Sequence, residues 1–137
     1  MLIKLEETLF IKQSADAIAI LKAYFSTLDK VDRDKEHFFC LGLARNNRVK
    51  YFDVVSVGTL HAALAEPREV FRRAVMESAS SVVLAHNHPS GNEQPSSSDN
   101  SITKKMKDAG DLLGIKMLDH IIFSNGDAYY SFADEGQ

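Results

Sequence analysis

The run Ser81-Val82-Val83-Leu84-Ala85 leads without a break into His86-Asn87-His88-Pro89-Ser90-Gly91, and Asp99 follows eleven residues after His88. The apolar run has the length and composition of a buried strand. His86 therefore falls at a strand end. In extended chain, residues i and i+2 share a face, so His86 and His88 offer two imidazoles in one direction while Asn87 points the other way. Pro89, Ser90 and Gly91 stop the strand, the polar stretch through Ser98 is a loop, and Asp99 opens the next helix. Such a loop can carry a carboxylate back towards the imidazoles. Two nitrogens and one oxygen around a divalent ion leave a coordination position open, which is the catalytic arrangement of zinc; structural sites are closed by four ligands, usually with cysteines. No cysteine lies near this segment.

Each of these residues also has a plainer reading. A His-x-His pair at a strand end can be surface or a hydrogen-bonded part of the core. Ser96-x-x-Asp99 has the form of a capping box, and an acid in the first turn suits the helix dipole. Capping and ligation are compatible. The letters His-Asn-His do not make an HNH nuclease, whose signature is dispersed over a longer finger. A nucleobase deaminase would need a Cys-x-x-Cys ligand pair, which the single cysteine excludes, and no His-Glu-x-x-His helix site is present.

The segment resembles the JAMM (MPN-plus) metalloprotease motif: a distant glutamate, then His-x-His, ten residues and Asp. The gap here, Pro89 through Ser98, is ten residues. The fuller form His-x-His-Pro-Ser-Gly, with Pro95-Ser96 ahead of Asp99, is similar to the RadC branch of that family. Asn47-Arg48-Val49, Gly58-Thr59-Leu60, Pro67-Arg68-Glu69-Val70-Phe71 and Leu118-Asp119-His120-Ile121-Ile122 extend the likeness over nearly the whole chain. The resemblance implies one zinc ion per chain, held by His86, His88 and Asp99, and hydrolysis of peptide or isopeptide amide bonds. It gives the upstream base to a glutamate at the start of a strand after the first helix, a description met by Glu36. Asp53, Glu66, Glu69 and Glu77 are its competitors. It gives the oxyanion donor to Ser96, which spacing also makes a helix cap. Asp119 and His120, adjacent in a β segment, can orient a metal ligand or make a structural contact; His37 and His61 carry no signal beyond their type.

The RadC branch also carries a DNA-repair label, so the alternative function is a module that binds DNA or a repair partner around a structural or vestigial metal. Charge leans against it. The net charge is −3, and the basic clusters Arg68, Arg72, Arg73 and Lys104, Lys105, Lys107 are short runs of the kind found on solvated helix faces. The helix-hairpin-helix region that precedes many RadC-like domains has no counterpart in these residues.

At 137 residues the chain suits one domain, 1–137, able to bury about two-thirds of its unfolded surface. Hydrophobic residues at 45% and charged residues at 26% fit a globular protein, and no apolar run approaches the roughly 18 residues of a membrane span. Lys4, Glu6, Glu7 and Lys12 interrupt the N-terminal apolar residues, which argues against a signal peptide and for a cytoplasmic location. Cys40, the single cysteine, sits among apolar neighbours and reads as buried.

Along the chain, residues 1–13 read as a short strand or arm, and Ser14 reads as the cap of a helix over 15–28. A charged loop over 29–35 precedes a strand over 38–43 with Glu36 at its start. Asn46-Asn47 turns the chain into a second strand over 49–57, forming a hairpin, and Gly58-Thr59-Leu60 continues extended. Pro67 opens a helix with an apolar stripe of Val70, Phe71, Ala74, Val75 and Ala79, ending near Ser78. After the 81–86 strand and its loop, Ile102, Met106, Ala109 and Leu113 mark a helix stopped by Gly114. A strand over 117–124, an Asn125-Gly126 hairpin turn, a strand through Tyr129, Tyr130 and Phe132, and a frayed end complete the chain. The pattern predicts an α/β protein of α+β type, a mixed sheet flanked by helices. The resemblance implies the same layout, a JAMM/MPN architecture of cytidine-deaminase-like form.

Overall fold

A computed structural model describes residues 1–58 and 65–137. In chain order its elements are β1 (Leu2–Ile3), α1 (Ser14–Phe25), α2 (Lys30–Arg33), β2 (Glu36–Leu43), β3 (Val49–Gly58), α3 (Pro67–Met76), β4 (Ser81–Asn87), α4 (Ser97–Leu113), β5 (Lys116–Phe123) and β6 (Tyr129–Ser131). The strands form one sheet in the order β1-β3-β2-β4-β5-β6. Only β4 and β5 run parallel, joined by the α4 crossover; the other neighbours are antiparallel. This is the mixed, helix-flanked sheet expected from the interleaved pattern.

Strands β2 and β4 are buried almost end to end, because both faces of the sheet are covered. That is why they read as continuous apolar runs and not as alternations. Phe39, Leu41 and Leu43 of β2 pack with Val83 and Ala85 of β4 against Ala17, Leu21 and Phe25 of α1. Phe38 and Cys40 face the other way, with Val82 and Leu84, against Val70, Phe71 and Ala74 of α3 and Met106 of α4. Burying each of these large side chains contributes roughly 1.5–3 kcal/mol. Parity then decides the location of the site: His86, four residues after Val82, opens on the α3/α4 side.

Several boundaries differ from the sequence expectation. The carboxylate of Asp16 accepts the backbone N–H groups of Lys12 and Gln13, so α1 is capped one residue before Ser14. The Ser14 hydroxyl turns instead to Tyr129 and Asp134. The helix ends at Phe25 and not at 28, because the Ser26 and Thr27 hydroxyls bond back to the carbonyls of Ala23 and Tyr24. The 29–35 loop contains α2, whose first turn is capped by the Asp29 carboxylate on Asp32 N–H. Strand β2 starts at Glu36, two residues before the expected start, and β4 runs one residue further, to Asn87.

Helix α3 stops at Met76, and its Val75 is exposed, as is Leu113 at the end of α4. The Asn125-Gly126 pair lies in a wider loop, since β5 and β6 pair first at Phe123 and Tyr129. Strand β6 ends at Ser131 and the C-terminus is not frayed: Phe132 is buried and its carbonyl accepts the Gln137 N–H. Thr59, Leu60 and His61 lie outside the described residues. Among the described residues no helix is long and apolar enough to cross a membrane.

Candidate metal centre

Strand β4 delivers His86 and His88 to one face at its C-terminal end. Phe38 pairs with His86 across the β2–β4 ladder and stacks on its ring at 6.0 Å, so Glu36, two residues earlier in β2, arrives beside His88. Its carboxylate comes within 4.8 Å of an imidazole nitrogen of both His86 and His88. Asn87 faces the opposite way, as strand alternation requires. Its side-chain Oδ1 accepts His37 N–H at 2.7 Å and its Nδ2 donates to Lys35 carbonyl at 2.9 Å. Those two backbone groups bracket Glu36.

After His88 the chain turns, with Gly91 at φ +91°, a conformation L side chains rarely adopt, and its N–H on the His88 carbonyl. The loop then starts α4 with a reciprocal cap. Ser96 Oγ accepts Asp99 N–H at 3.1 Å, and Asp99 Oδ2 accepts Ser96 N–H at 2.8 Å. The cap leaves the Asp99 carboxylate facing the histidines. Asp99 Oδ1 stands 3.1 Å from His86 Nε2 and Oδ2 stands 3.1 Å from His88 Nε2, while the two Nε2 atoms are 3.1 Å apart. Capping and cluster formation are both realised in one residue.

These distances suit a cation. Ligand atoms about 2.0–2.1 Å from zinc at tetrahedral angles stand about 3.3 Å apart. His88 Nδ1 lies 2.7 Å from the Asn92 carbonyl, which can only accept, so this nitrogen carries a proton and Nε2 is the ring's remaining lone-pair position. Glu36, His86 and His88 thus form a trio that could hold a metal ion, and the Asp99 carboxylate stands 3.1 Å from both imidazoles of that trio.

The electrostatics agree. Burial pushes the Asp99 carboxyl up, but its 3.1 Å contacts with the His86 and His88 rings outweigh it and hold the group well below the usual carboxylate range. Burial lowers His86, whereas the hydrogen bond with Asp99 raises the half-buried His88. Burial raises Glu36, with His88 opposing and Asp99 reinforcing the shift. A carboxyl raised in this way is a better proton acceptor than an exposed one.

The other candidates are placed elsewhere. Asp53 lies on β3 opposite Cys40, Glu66 pairs with Lys105, and Glu77 with Arg73. Glu69 sits in the first turn of α3. Cys40 is fully buried, 3.8 Å from the Tyr51 hydroxyl. Asp119 and His120 do not act as a side-chain pair. The Asp119 carboxylate accepts His120 N–H, Ser131 Oγ–H and Ala133 N–H, tying β5 to the C-terminal turn. His120 turns inward and touches His86 and Thr103. Thr103 carried no signal in the sequence beyond its place one turn after Asp99 on a helix.

A mixed sheet covered by helices on both faces, with His-x-His at the C-terminal end of a central strand and an aspartate at the start of the following helix, defines a domain of the JAB/MPN fold. The chain belongs to the RadC-like JAB domain family, which matches residues 11–137. It is 48% identical over 103 residues to a UPF0758 protein of Chlorobaculum tepidum, covering 75% of this chain and 46% of that one. A UPF0758 protein of Methanosarcina barkeri is 49% identical over 105 residues, 77% of this chain and 45% of its own. One from Rubrobacter xylanophilus is 42% identical over 126 residues, covering 92% and 52%. The chain thus spans about half the length of these relatives.

Proposed function

We propose that this domain is a zinc-dependent hydrolase of amide bonds acting on peptide or isopeptide substrates. The observation that carries the reading is the convergence of His86 Nε2, His88 Nε2 and the Asp99 carboxylate at 3.1 Å separations, with Glu36 alongside. His86, His88 and Asp99 would hold the ion. Zinc bound by three protein ligands supplies an acidified water at neutral pH and a Lewis acid for the scissile carbonyl. Glu36 takes the proton of the attacking water and returns it to the leaving amine, a task suited to a carboxyl raised by burial at the rim. Ser96 Oγ accepts Asp99 N–H and keeps its own hydrogen, which it can donate to the developing oxyanion.

The test begins with elemental analysis of untagged protein purified without chelator. About one zinc per chain, lost in His88→Ala, supports the site. Glu36→Gln is expected to keep the zinc and lose at least about 100-fold in hydrolysis of a peptide or isopeptide library, the lower end of the range for general acid–base catalysis. Loss of zinc in Glu36→Gln would make Glu36 a ligand and not the base. A wild-type chain that takes up no metal when zinc is supplied would overturn the reading.

A further inference from the structure

His120 lies on β5 opposite Leu84 of β4, fully buried, with its ring stacked on Phe132 at 5.4 Å and tilted against Phe38 at 5.7 Å. Its Nε2 is 2.8 Å from His86 Nδ1, and its Nδ1 is 2.6 Å from Thr103 Oγ1. The same hydroxyl is 2.7 Å from the backbone carbonyl of Asp99. Four groups on three elements thus form one chain of contacts, from the helix turn that carries Asp99 to the back of the His86 ring.

The direction of that chain follows from counting hydrogens. A carbonyl oxygen only accepts, so the single hydroxyl hydrogen of Thr103 goes to Asp99. The Thr103 oxygen then accepts, and His120 carries its N–H on Nδ1. A neutral imidazole has one N–H, so His120 Nε2 is an acceptor and His86 Nδ1 donates to it. The relay leaves His86 a bare Nε2 on the side of His88 and Asp99, and it competes there with Asp99 Oδ1, 3.1 Å away, which would draw the ring's one hydrogen to Nε2 instead. Reversing the chain would set the Thr103 oxygen against the Asp99 carbonyl with no hydrogen between them, an unsatisfied buried contact costing about 1–3 kcal/mol.

We propose that Thr103 and His120 are positioning residues that lock the His86 imidazole in its Nδ1–H tautomer and aim its Nε2 lone pair into the cluster for a divalent metal cation. The role as metal support rests on the zinc reading above; the tautomer itself does not. Because Thr103 takes its direction from the Asp99 carbonyl, α4 sets two ligands at once: one through the Asp99 carboxylate and one through this relay. A threonine hydroxyl bonded to the carbonyl four residues back is ordinary in helices. Its second contact, to a buried imidazole that itself touches His86, makes it part of the site.

The experiment has two readouts. In zinc-free, 15N-labelled wild type at pH 8, nitrogen shifts are expected to place the proton on Nδ1 of both His86 and His120. A proton on Nε2 of either ring overturns the lock. The second readout is zinc affinity by chelator competition. His120→Phe keeps a ring against Phe132 but removes the acceptor, and is expected to weaken zinc binding 10–100-fold. His120→Gln restores an acceptor and is expected to recover most of that loss. Equal zinc affinity in wild type and His120→Phe overturns the supporting role. Thr103→Val, which keeps the side-chain shape, guards against a folding failure of the ring variants: mixed His86 tautomers are expected, and an unchanged spectrum counts against the lock. If wild type takes up no zinc, the hydrolase reading fails while the zinc-free spectrum still decides the tautomer.

Discussion

Asn87 occupies the middle of the His-x-His motif, and its side-chain amide makes the contacts that a further strand residue would otherwise make with its backbone. By accepting from His37 N–H and donating to Lys35 carbonyl it closes the end of the β2–β4 ladder around Glu36. Asn87→Ala leaves the buried His37 N–H short of a partner, while the Lys35 carbonyl keeps its contact with the His37 ring, and is expected to cost about 1–3 kcal/mol in urea unfolding. Asn87→Asp, almost isosteric, is expected to be at least as damaging, since a carboxylate oxygen would then face the Lys35 carbonyl. Should Asp instead be tolerated like wild type, the clamp is only a matter of size. The sequence shows that Asn87 points away from the histidines, since alternation alone dictates it. Its partner is a different matter, because Lys35 and Glu36 become neighbours of Asn87 only once β2 is known to pair with β4. The same limit explains Asp119 and His120. Adjacent in sequence, they face opposite ways, and the group that meets the His120 ring comes from α4.

Helix α4 carries more of the site than any other element, and its start was the most legible boundary in the chain. Ser96-x-x-Asp99 reads as a capping box and forms one. Ser96→Ala is expected to cost about 1 kcal/mol of stability, whereas Ser96→Gly costs only a few tenths at an N-cap. That difference separates the two roles of Ser96. If the hydroxyl donates to an oxyanion, the glycine variant stays close to wild type in a thermal melt yet loses roughly 100-fold in hydrolysis. Full activity in a stably folded Ser96→Gly would reduce Ser96 to a cap. Elsewhere, the type of the strands and longer helices is readable and their ends are not, and the charged 29–35 stretch, which reads as a loop, holds the short helix α2. Hydroxyls of Ser26 and Thr27 compete for carbonyls and end α1 early, and Asp29 caps a turn of its own; such local side-chain bonds leave no periodic trace. The Asn125-Gly126 signal marked the right connection but not its length, because β6 pairs with β5 only from Tyr129 onward.

At the scale of the whole molecule, both-sided burial of β2 and β4 is legible as unbroken apolar runs, whereas the insertion of β2 between β3 and β4 is not, because hairpin signals fix neighbours and not sheet order. That insertion buries three imidazoles together in and around the central strands. His37 is held between Phe25 and Phe39, His86 is the buried member of the cluster, and His120 lies behind it. Burial lowers all three below the ordinary histidine value. In the metal-free chain each binds its proton more readily unfolded than folded, so each withdraws stability as pH falls below about 6.5, the unfolded value. His88 acts in the opposite sense: raised by its hydrogen bond with Asp99, it contributes stability that is fully present below about 6.5 and lost as pH rises through its folded value. Glu36 and Asp119, whose carboxyls burial raises, act in the same sense as His88 towards the acid end of the range; the three buried rings are expected to dominate, so that the urea midpoint of metal-free protein falls from pH 7 to pH 5. Asp99, held low by the two imidazoles, contributes stability present above about 3.9, the unfolded value, and gives it up only at still lower pH. Zinc should steepen the limb between pH 7 and 5, because protons then compete with the ion for His86 and His88. A midpoint that is flat or rises from pH 7 to 5 without metal would mean that the buried imidazoles accept protons in place. The neutral core that aims His86 at the cluster would then not exist.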